Sequence, residues 1–152
     1  MANSLAAFAL VSSVLLMSAV EPAMAQEAAV AGRIKIASGS VFVIRGSAEL
    51  PAAVGDTVFA SDGVRTGADG RLGLTLKDET RVSLGPSSEV RIDTFRFAPN
   101  ESSLAVALTF VRGVVGYVSG RIAKLAPDAV RLKTPSAIIG VRGTTLAVRV
   151  AS

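Results

Sequence analysis

The dominant pattern along most of the chain is an alternation of hydrophobic and polar residues that begins after about residue 32. Leucine occupies every second position of Arg71–Lys77, and the same spacing recurs in Arg81–Leu84 and Glu89–Asp93. Successive side chains of a β-strand point to opposite faces of a sheet, so this period of two predicts strands with one buried face and one polar face. The pattern therefore predicts an all-β protein.

Turn-forming residues separate these strands at intervals of roughly 8 to 12 residues, a spacing typical of sandwiches, barrels and short solenoids. Gly and Asn accept a positive φ angle there, while Pro and Ser favour loops. Successive units such as LGLTLKDE and TRVSLGPSS must stack on neighbours, because a short unit cannot bury a face alone. We predict about 10–12 short strands, forming either a short β-solenoid-like stack or a two-layer β-sandwich.

Two segments, Leu104–Val111 and residues 136–150, are more continuously hydrophobic. Such runs are typical of central strands covered on both faces, so we expect both segments to lie deep in the fold. In the second we predict strands at Ala137–Val141 and Thr145–Val150, joined at Arg142-Gly143. The residues expected to supply core there are Ile138, Ile139, Val141, Leu146 and Val148.

The first residues of the chain have the features of a signal peptide. Leu5–Val20 contains no charged residue, and Ala23–Ala25 is a small-residue cleavage pattern. We predict a signal peptide over residues 1–25, cleaved between Ala25 and Gln26, and a periplasmic or secreted product. One usual feature is missing, since Met1–Ser4 contains no Lys or Arg. The alternative to cleavage is an N-terminal anchor in the inner membrane.

The remaining chain divides into a lead-in with the first strand, residues 26–38, and a β domain, residues 39–150. Without Glu21 it carries 16 basic and 11 acidic residues, a formal net charge of +5. The basic residues occur singly among acidic ones, and aromatic residues make up only 5% of the chain, which argues against nucleic acid as a partner. An anionic envelope surface stays possible.

The chain contains neither histidine nor cysteine, which excludes histidine-dependent triads, thiol nucleophiles and the usual zinc sites. No phosphate-binding loop is present, and Ser119 is displaced by one position from a nucleophile elbow. We therefore predict no catalytic, cofactor-binding or metal site. Asp62, Asp69 and Asp78 could converge on calcium, but turn chemistry is the favoured reading, and an enzyme using carboxylates alone is the least favoured alternative.

Several motifs, taken in order, resemble the FecR-type domain over residues 39–150. They are Gly55–Phe59, Val64–Arg71, Gly85–Ser88, Val111–Val114 and Thr134–Ala137 running into Gly140–Thr144. The resemblance implies an all-β extracytoplasmic interaction domain. In its namesake this domain is the periplasmic half of a regulator that receives a signal from an outer-membrane transducer. We expect a standalone exported domain without the anti-sigma and transmembrane parts, because the signal sequence stands in their place.

The resemblance also marks structural positions, and one departure from the family. The marked residues are Asp69, Gly70, Thr134, Pro135, Gly140, Arg142, Gly143 and Thr144. At Arg142 we expect a hydrogen bond to a carbonyl or a pair with a carboxylate rather than ligand binding. Gly140 and Gly143 would allow close packing or a positive φ angle. Asp78-Glu79-Thr80 stands where the family usually has Asp-Gly-Ser, so the loop there is expected to be wider than a two-residue turn.

These observations favour a non-catalytic periplasmic or surface module that binds an envelope protein partner, for example through exposed strand edges. Binding of an anionic envelope glycan or lipid is the alternative, because the mature chain is basic. No cofactor is expected. The sequence names neither the partner nor the oligomeric state.

Overall fold

The computed structural model describes residues 28–151, which form one twelve-stranded sheet and confirm the all-β class. The predicted signal peptide lies outside the described residues. The strands are β1 (Val30–Ser38), β2 (Val41–Arg45), β3 (Ala48–Pro51), β4 (Thr57–Phe59), β5 (Gly63–Thr66), β6 (Arg71–Leu76), β7 (Arg81–Leu84), β8 (Glu89–Ala98), β9 (Ser103–Val118), β10 (Val130–Lys133), β11 (Ile138–Ile139) and β12 (Thr145–Val150).

Helical structure in this part of the chain is short. One α-helix, α1 (Arg121–Leu125), and two 3₁₀ turns, Pro99–Glu101 and Pro127–Ala129, connect strands. No helix among the described residues has the length and apolar character needed to cross a membrane.

The 16-residue strand β9 organises the sheet, because different strands pair with its two halves. Its first half pairs with β8 and β10, and its second half, from Gly113, pairs with β12 and β7. Around the first half of β9, neighbouring strands follow the order β3-β2-β5-β8-β9-β10-β11. Around its second half, they follow the order β12-β9-β7-β6-β1-β4. Only the β9–β10 pairing is parallel. The single sheet therefore curls at β9 into two halves.

Gly113 lies at the bend of β9. Its φ angle is +84°, and a Cβ atom there would lie 2.2 Å from the Oγ of Ser88. That hydroxyl accepts a hydrogen bond from the N–H of Val114 at 2.9 Å. A residue with a side chain would have to displace Ser88 and adopt an unfavourable backbone conformation, so this position requires glycine.

Both halves of the sheet contribute alternate side chains to one hydrophobic cluster. The leucines of β6, Val82 and Leu84 of β7, and Val90 and Ile92 of β8 are buried as their alternation predicted. Tyr117 and Phe110 are the largest fully buried side chains. In β9 the residues Val106, Leu108 and Phe110 are completely buried, so Leu104–Val111 lies in a central strand as expected. The alternate residues of this segment are only half-buried, so one face of the strand is covered and not both.

The expectation that residues 136–150 lie deep in the fold is wrong. Ile138 is 73% exposed, Ile139, Leu146 and Val148 are only partly buried, and Val141 alone joins the buried core. The reason is sheet position. Among the described residues β11 pairs only with β10, and β12 only with β9, so each presents one side to solvent. Their hydrophobic content resembles that of a central strand, but both lie at edges.

Candidate functional site

The last two family-like motifs, Thr134–Ala137 and Gly140–Thr144, lie in a region that we name the C-terminal surface, residues 121–151. It comprises α1, β10, β11, β12 and their connections. Thr134 begins the turn between β10 and β11: its Oγ1 accepts a hydrogen bond from the N–H of Ala137 at 3.1 Å, and its own N–H donates to the carbonyl of Ala137 at 2.8 Å. Thr134 and Pro135 therefore shape a turn and present no reactive group.

The second motif, Gly140–Thr144, fastens β12 to β9. The N–H of Thr144 donates to the Oγ of Ser119 at 3.0 Å, and the N–H of Ser119 donates to the carbonyl of Thr144 at 3.1 Å. Gly143 has the expected positive φ angle, +63°. Gly140 has neither a positive φ angle nor a close neighbour that a Cβ atom would meet, so neither proposed reason for a glycine applies to it.

Arg142 is exposed, and the partner expected for it is not found. Among residues 28–151 its side chain makes no ion pair and donates no hydrogen bond to a carbonyl or carboxylate. It lines a concavity of about 600 Å³ together with Arg131 and the exposed Ile138. An arginine whose charge is unpaired, at the rim of a concavity, is available to an external anion.

Asp69 and Gly70 lie outside the C-terminal surface and have structural roles. The Oδ1 of Asp69 accepts a hydrogen bond from the N–H of Ser40 at 3.2 Å, and its contacts with Ser40 hold the pKa of this carboxyl below its ordinary value. A Cβ atom on Gly70 would lie 2.2 Å from the Ser40 carbonyl oxygen. The pair thus anchors the β1–β2 turn to the β5–β6 connection.

The three turn aspartates do not converge. Asp62 is buried and forms an ion pair of 2.7 Å with Arg45, while Asp78 is buried and accepts hydrogen bonds from Thr80 and from the N–H of Ile122. The two buried carboxylates share no hydrogen-bond partner. Residues 28–151 contain no group of three side chains placed to hold a metal ion, so the calcium reading has no structural support.

The four end strands of the described sheet differ in how they are protected from pairing with another chain. β3 is fully exposed and carries Glu49 and Pro51, β4 has three residues, and β11 has two. Charge, proline and short length are the usual means of blocking an edge. β12 has six residues, no proline and a single charge, Arg149. Among these four end strands, β12 alone is both long and free of proline.

A model of the FecR protein family matches residues 62–152. The chain belongs to the FecR family. This confirms the resemblance seen in the motifs, although Gly55–Phe59 precedes the matched residues. No curated protein and no solved structure matches the chain. FecR is a non-enzymatic signalling family, and the matched residues include the whole C-terminal surface.

Net positive charge is distributed unevenly along the FecR chain, although basic and acidic residues are interleaved in its sequence. Residues 121–151 carry six basic side chains and one acidic one, a net charge of +5, whereas residues 28–120 carry ten and nine, a net charge of +1. All six are exposed, and the four ion pairs among the described residues lie within residues 45–112. A segment-by-segment charge count would have found this asymmetry from the sequence.

Proposed function

We propose that this FecR-family chain is an exported, non-catalytic envelope domain that binds a protein partner by strand addition at β12. The observation that carries the proposal is the long unblocked edge of β12. Family membership supports a role in signalling, which requires contact with another envelope component. Strand addition supplies affinity through main-chain hydrogen bonds and specificity through alternate side chains.

The hydrogen bonding of β12 indicates which main-chain groups face a partner. Opposite residues in an antiparallel pair alternate between hydrogen-bonded and non-hydrogen-bonded positions. Thr144 lies opposite Ser119 and accepts its N–H. The next hydrogen-bonded positions are Leu146, Val148 and Val150, opposite Tyr117, Val115 and Gly113. The main-chain groups of the intervening Thr145, Ala147 and Arg149 therefore point toward the free edge.

The side chains of β12 favour a strand over a loop as the occupant of this edge. Leu146, Val148 and Val150 are half-buried against the core cluster, so part of their apolar surface stays accessible at this end strand. A strand added beside β12 would cover that surface and satisfy the three outward main-chain groups together. Burial of apolar surface stabilises the contact by roughly 25 cal/mol per Å².

Photo-crosslinking from a reactive residue in place of Arg149, in intact cells, tests the proposal. We expect a discrete protein adduct that is lost when Ala147→Pro is added, because proline removes an outward N–H. The matched control Ala147→Thr keeps this N–H and should retain the adduct. Thermal melting of each variant checks that the domain stays folded.

A crosslinker in place of Glu49 reports on the blocked edge β3 and should give no such adduct. An identical adduct from position 49, or an adduct that persists in a folded Ala147→Pro variant, would show that the partner does not pair with β12.

A further inference from the structure

A trough of about 340 Å³ crosses the outer face of β8, β9 and β10, away from the free edge of β12. We name it the alanine trough. Its floor is formed by Ala105 and Ala107 of β9, and its walls include Arg96 of β8 and Arg131 of β10, with Asp128 at one end. Small residues on the floor leave room for a ligand between the two arginines.

Strand register places the two arginines on the same face of the sheet. Arg96 lies opposite Ala105, and Arg131 lies opposite Ala107 from the other side of β9. Two strand spacings separate β8 from β10, roughly 10 Å. Arginine side chains are long enough to reach over the floor from both walls toward a single anionic group.

Both arginines are available for an external anion. Arg96 and Arg131 are exposed and, among residues 28–151, take part in none of the ion pairs or side-chain hydrogen bonds. By contrast, Arg91 of β8 and Arg112 of β9 each lie near a carboxylate of β8. A planar guanidinium with free donors binds carboxylate and phosphate groups in a two-pronged manner.

The trough adjoins the concavity lined by Arg142. Asp128 and Arg131 line both spaces, so Arg131 lies where the two meet, and we refer to the two spaces together as the groove. An elongated ligand that bears more than one anionic group matches this groove better than a single small ion does.

The ligand class follows from what the trough lacks. The main chain of β9 is already paired with β8 on one side and β10 on the other, so a peptide strand finds no free backbone groups on the floor. A flat lipid surface cannot enter a concave site. The methyl groups of Ala105 and Ala107 can contact the apolar face of a sugar ring. We propose that the groove binds an anionic glycan, a saccharide chain that carries carboxylate or phosphate groups.

Calorimetric titration of the purified domain with a uronic-acid oligosaccharide tests this site. We expect binding that weakens as salt increases, and no binding of a neutral oligosaccharide of the same length. Arg96→Ala and Arg131→Ala should each weaken the affinity about tenfold, as expected for a lost charge-assisted contact. Arg81→Ala removes an equal charge from β7 and should change the affinity less than about twofold.

A second pair of variants removes negative charge instead of positive charge. Asp128 repels an anion in the groove, so Asp128→Asn should tighten binding, whereas Glu79→Gln, an equal charge change at the β6–β7 turn, should not. Equal effects of Arg81→Ala and Arg131→Ala on glycan affinity would overturn the proposed site. Binding of polyglutamate or of anionic phospholipid vesicles that depends on Arg131 to the same extent would overturn the assignment of a glycan. Ala147→Pro should leave glycan affinity unchanged, so this proposal and strand addition at β12 fail independently.

Discussion

Glu79 illustrates how one residue replaces a glycine that the family pattern leads one to expect. It has a φ angle of +70° in the turn between β6 and β7. The N–H of Leu76 donates to the carbonyl of Thr80, leaving three residues in the turn, one more than a tight hairpin has. A three-residue turn with its last residue in a left-handed conformation is a common hairpin connection. Asp78 within it caps α1 through the N–H of Ile122.

Tyr117 is the second residue whose environment is unusual. It is fully buried, and among the described residues its hydroxyl makes no hydrogen bond of acceptable geometry, although the hydroxyls of Ser119 and Thr80 lie near it. Burial, with a smaller contribution from Asp78, raises the pKa of Tyr117, while the hydroxyls of Ser119 and Thr80 oppose this shift. A buried hydroxyl without a partner costs stability, because folding removes it from water without compensation.

Replacing this residue, Tyr117→Phe, should therefore raise the free energy of unfolding by about 1 kcal/mol. Phenylalanine keeps the ring in the core and removes only the unpaired hydroxyl. Urea denaturation of the two proteins at neutral pH measures the difference. A loss of stability would show that the hydroxyl is satisfied, for example by a bound water.

The same residue makes stability depend on alkaline pH. Tyrosine is neutral when protonated, so a raised pKa keeps the folded state protonated where the unfolded chain ionises. The stability that arises from this difference in pKa is fully present below a pH of about 10, and it is lost as the pH rises through the pKa of the folded state. Tyr117→Phe should lack this decline. Because the chain has one tyrosine, ultraviolet absorbance of the tyrosinate assigns the titration without ambiguity.

At the scale of elements, the long strand β9 determines the architecture, since it belongs to both halves of the sheet. Its bend depends on Gly113, which is part of the motif Val111–Val114 that resembles the family. Gly116, three residues later in the same strand, has an open setting: the nearest atom to an added Cβ would be the Cβ of Ser83 at 3.6 Å. Gly113 is therefore required by its backbone conformation, whereas Gly116 lies in an ordinary strand position.

Gly113→Ala should lower the free energy of unfolding by more than about 3 kcal/mol, because the new Cβ atom meets Ser88 and the φ angle is unfavourable. Gly116→Ala should change it by less than about 0.5 kcal/mol. Chemical denaturation of the pair gives both values. Similar losses in the two variants would mean that the bend of β9 does not rest on Gly113.

Local pattern predicted some elements well and others poorly. The alternation in β6, β7 and the first half of β8 identified the large side chains that these strands bury, because those side chains share one face of the sheet. The same reasoning placed Ile138 in the core, although it is exposed. Hydrophobic content reports whether a segment can form a strand, but not how many neighbours the strand has. That number depends on long-range pairing, which also brings Arg96 and Arg131 to one trough.

At the scale of the whole molecule, the C-terminal surface concentrates three properties in one part of the chain. It contains the unblocked edge β12, the exposed Ile138, and all but one unit of the net positive charge of residues 28–151. The rest of the described chain supplies most of the core and nearly balanced charge. The C-terminal surface provides β12 and Arg131 for the two proposed contacts, while β8 and β9 complete the groove with Arg96, Ala105 and Ala107. Both contacts require that this side of the molecule meets components of the cell envelope.

The proposed envelope role depends on export of the protein, and export predicts a defined amino terminus. Leu5–Val20 followed by Ala23–Ala25 predicts removal of residues 1–25, so the mature protein should begin at Gln26 and be released with the periplasmic or secreted fraction. Amino-terminal sequencing and intact mass of the protein from fractionated cells measure this. Ala25→Leu should block cleavage, since a small residue is required there, while Ala28→Leu should not. A full-length protein that stays with the inner membrane would instead establish the N-terminal anchor.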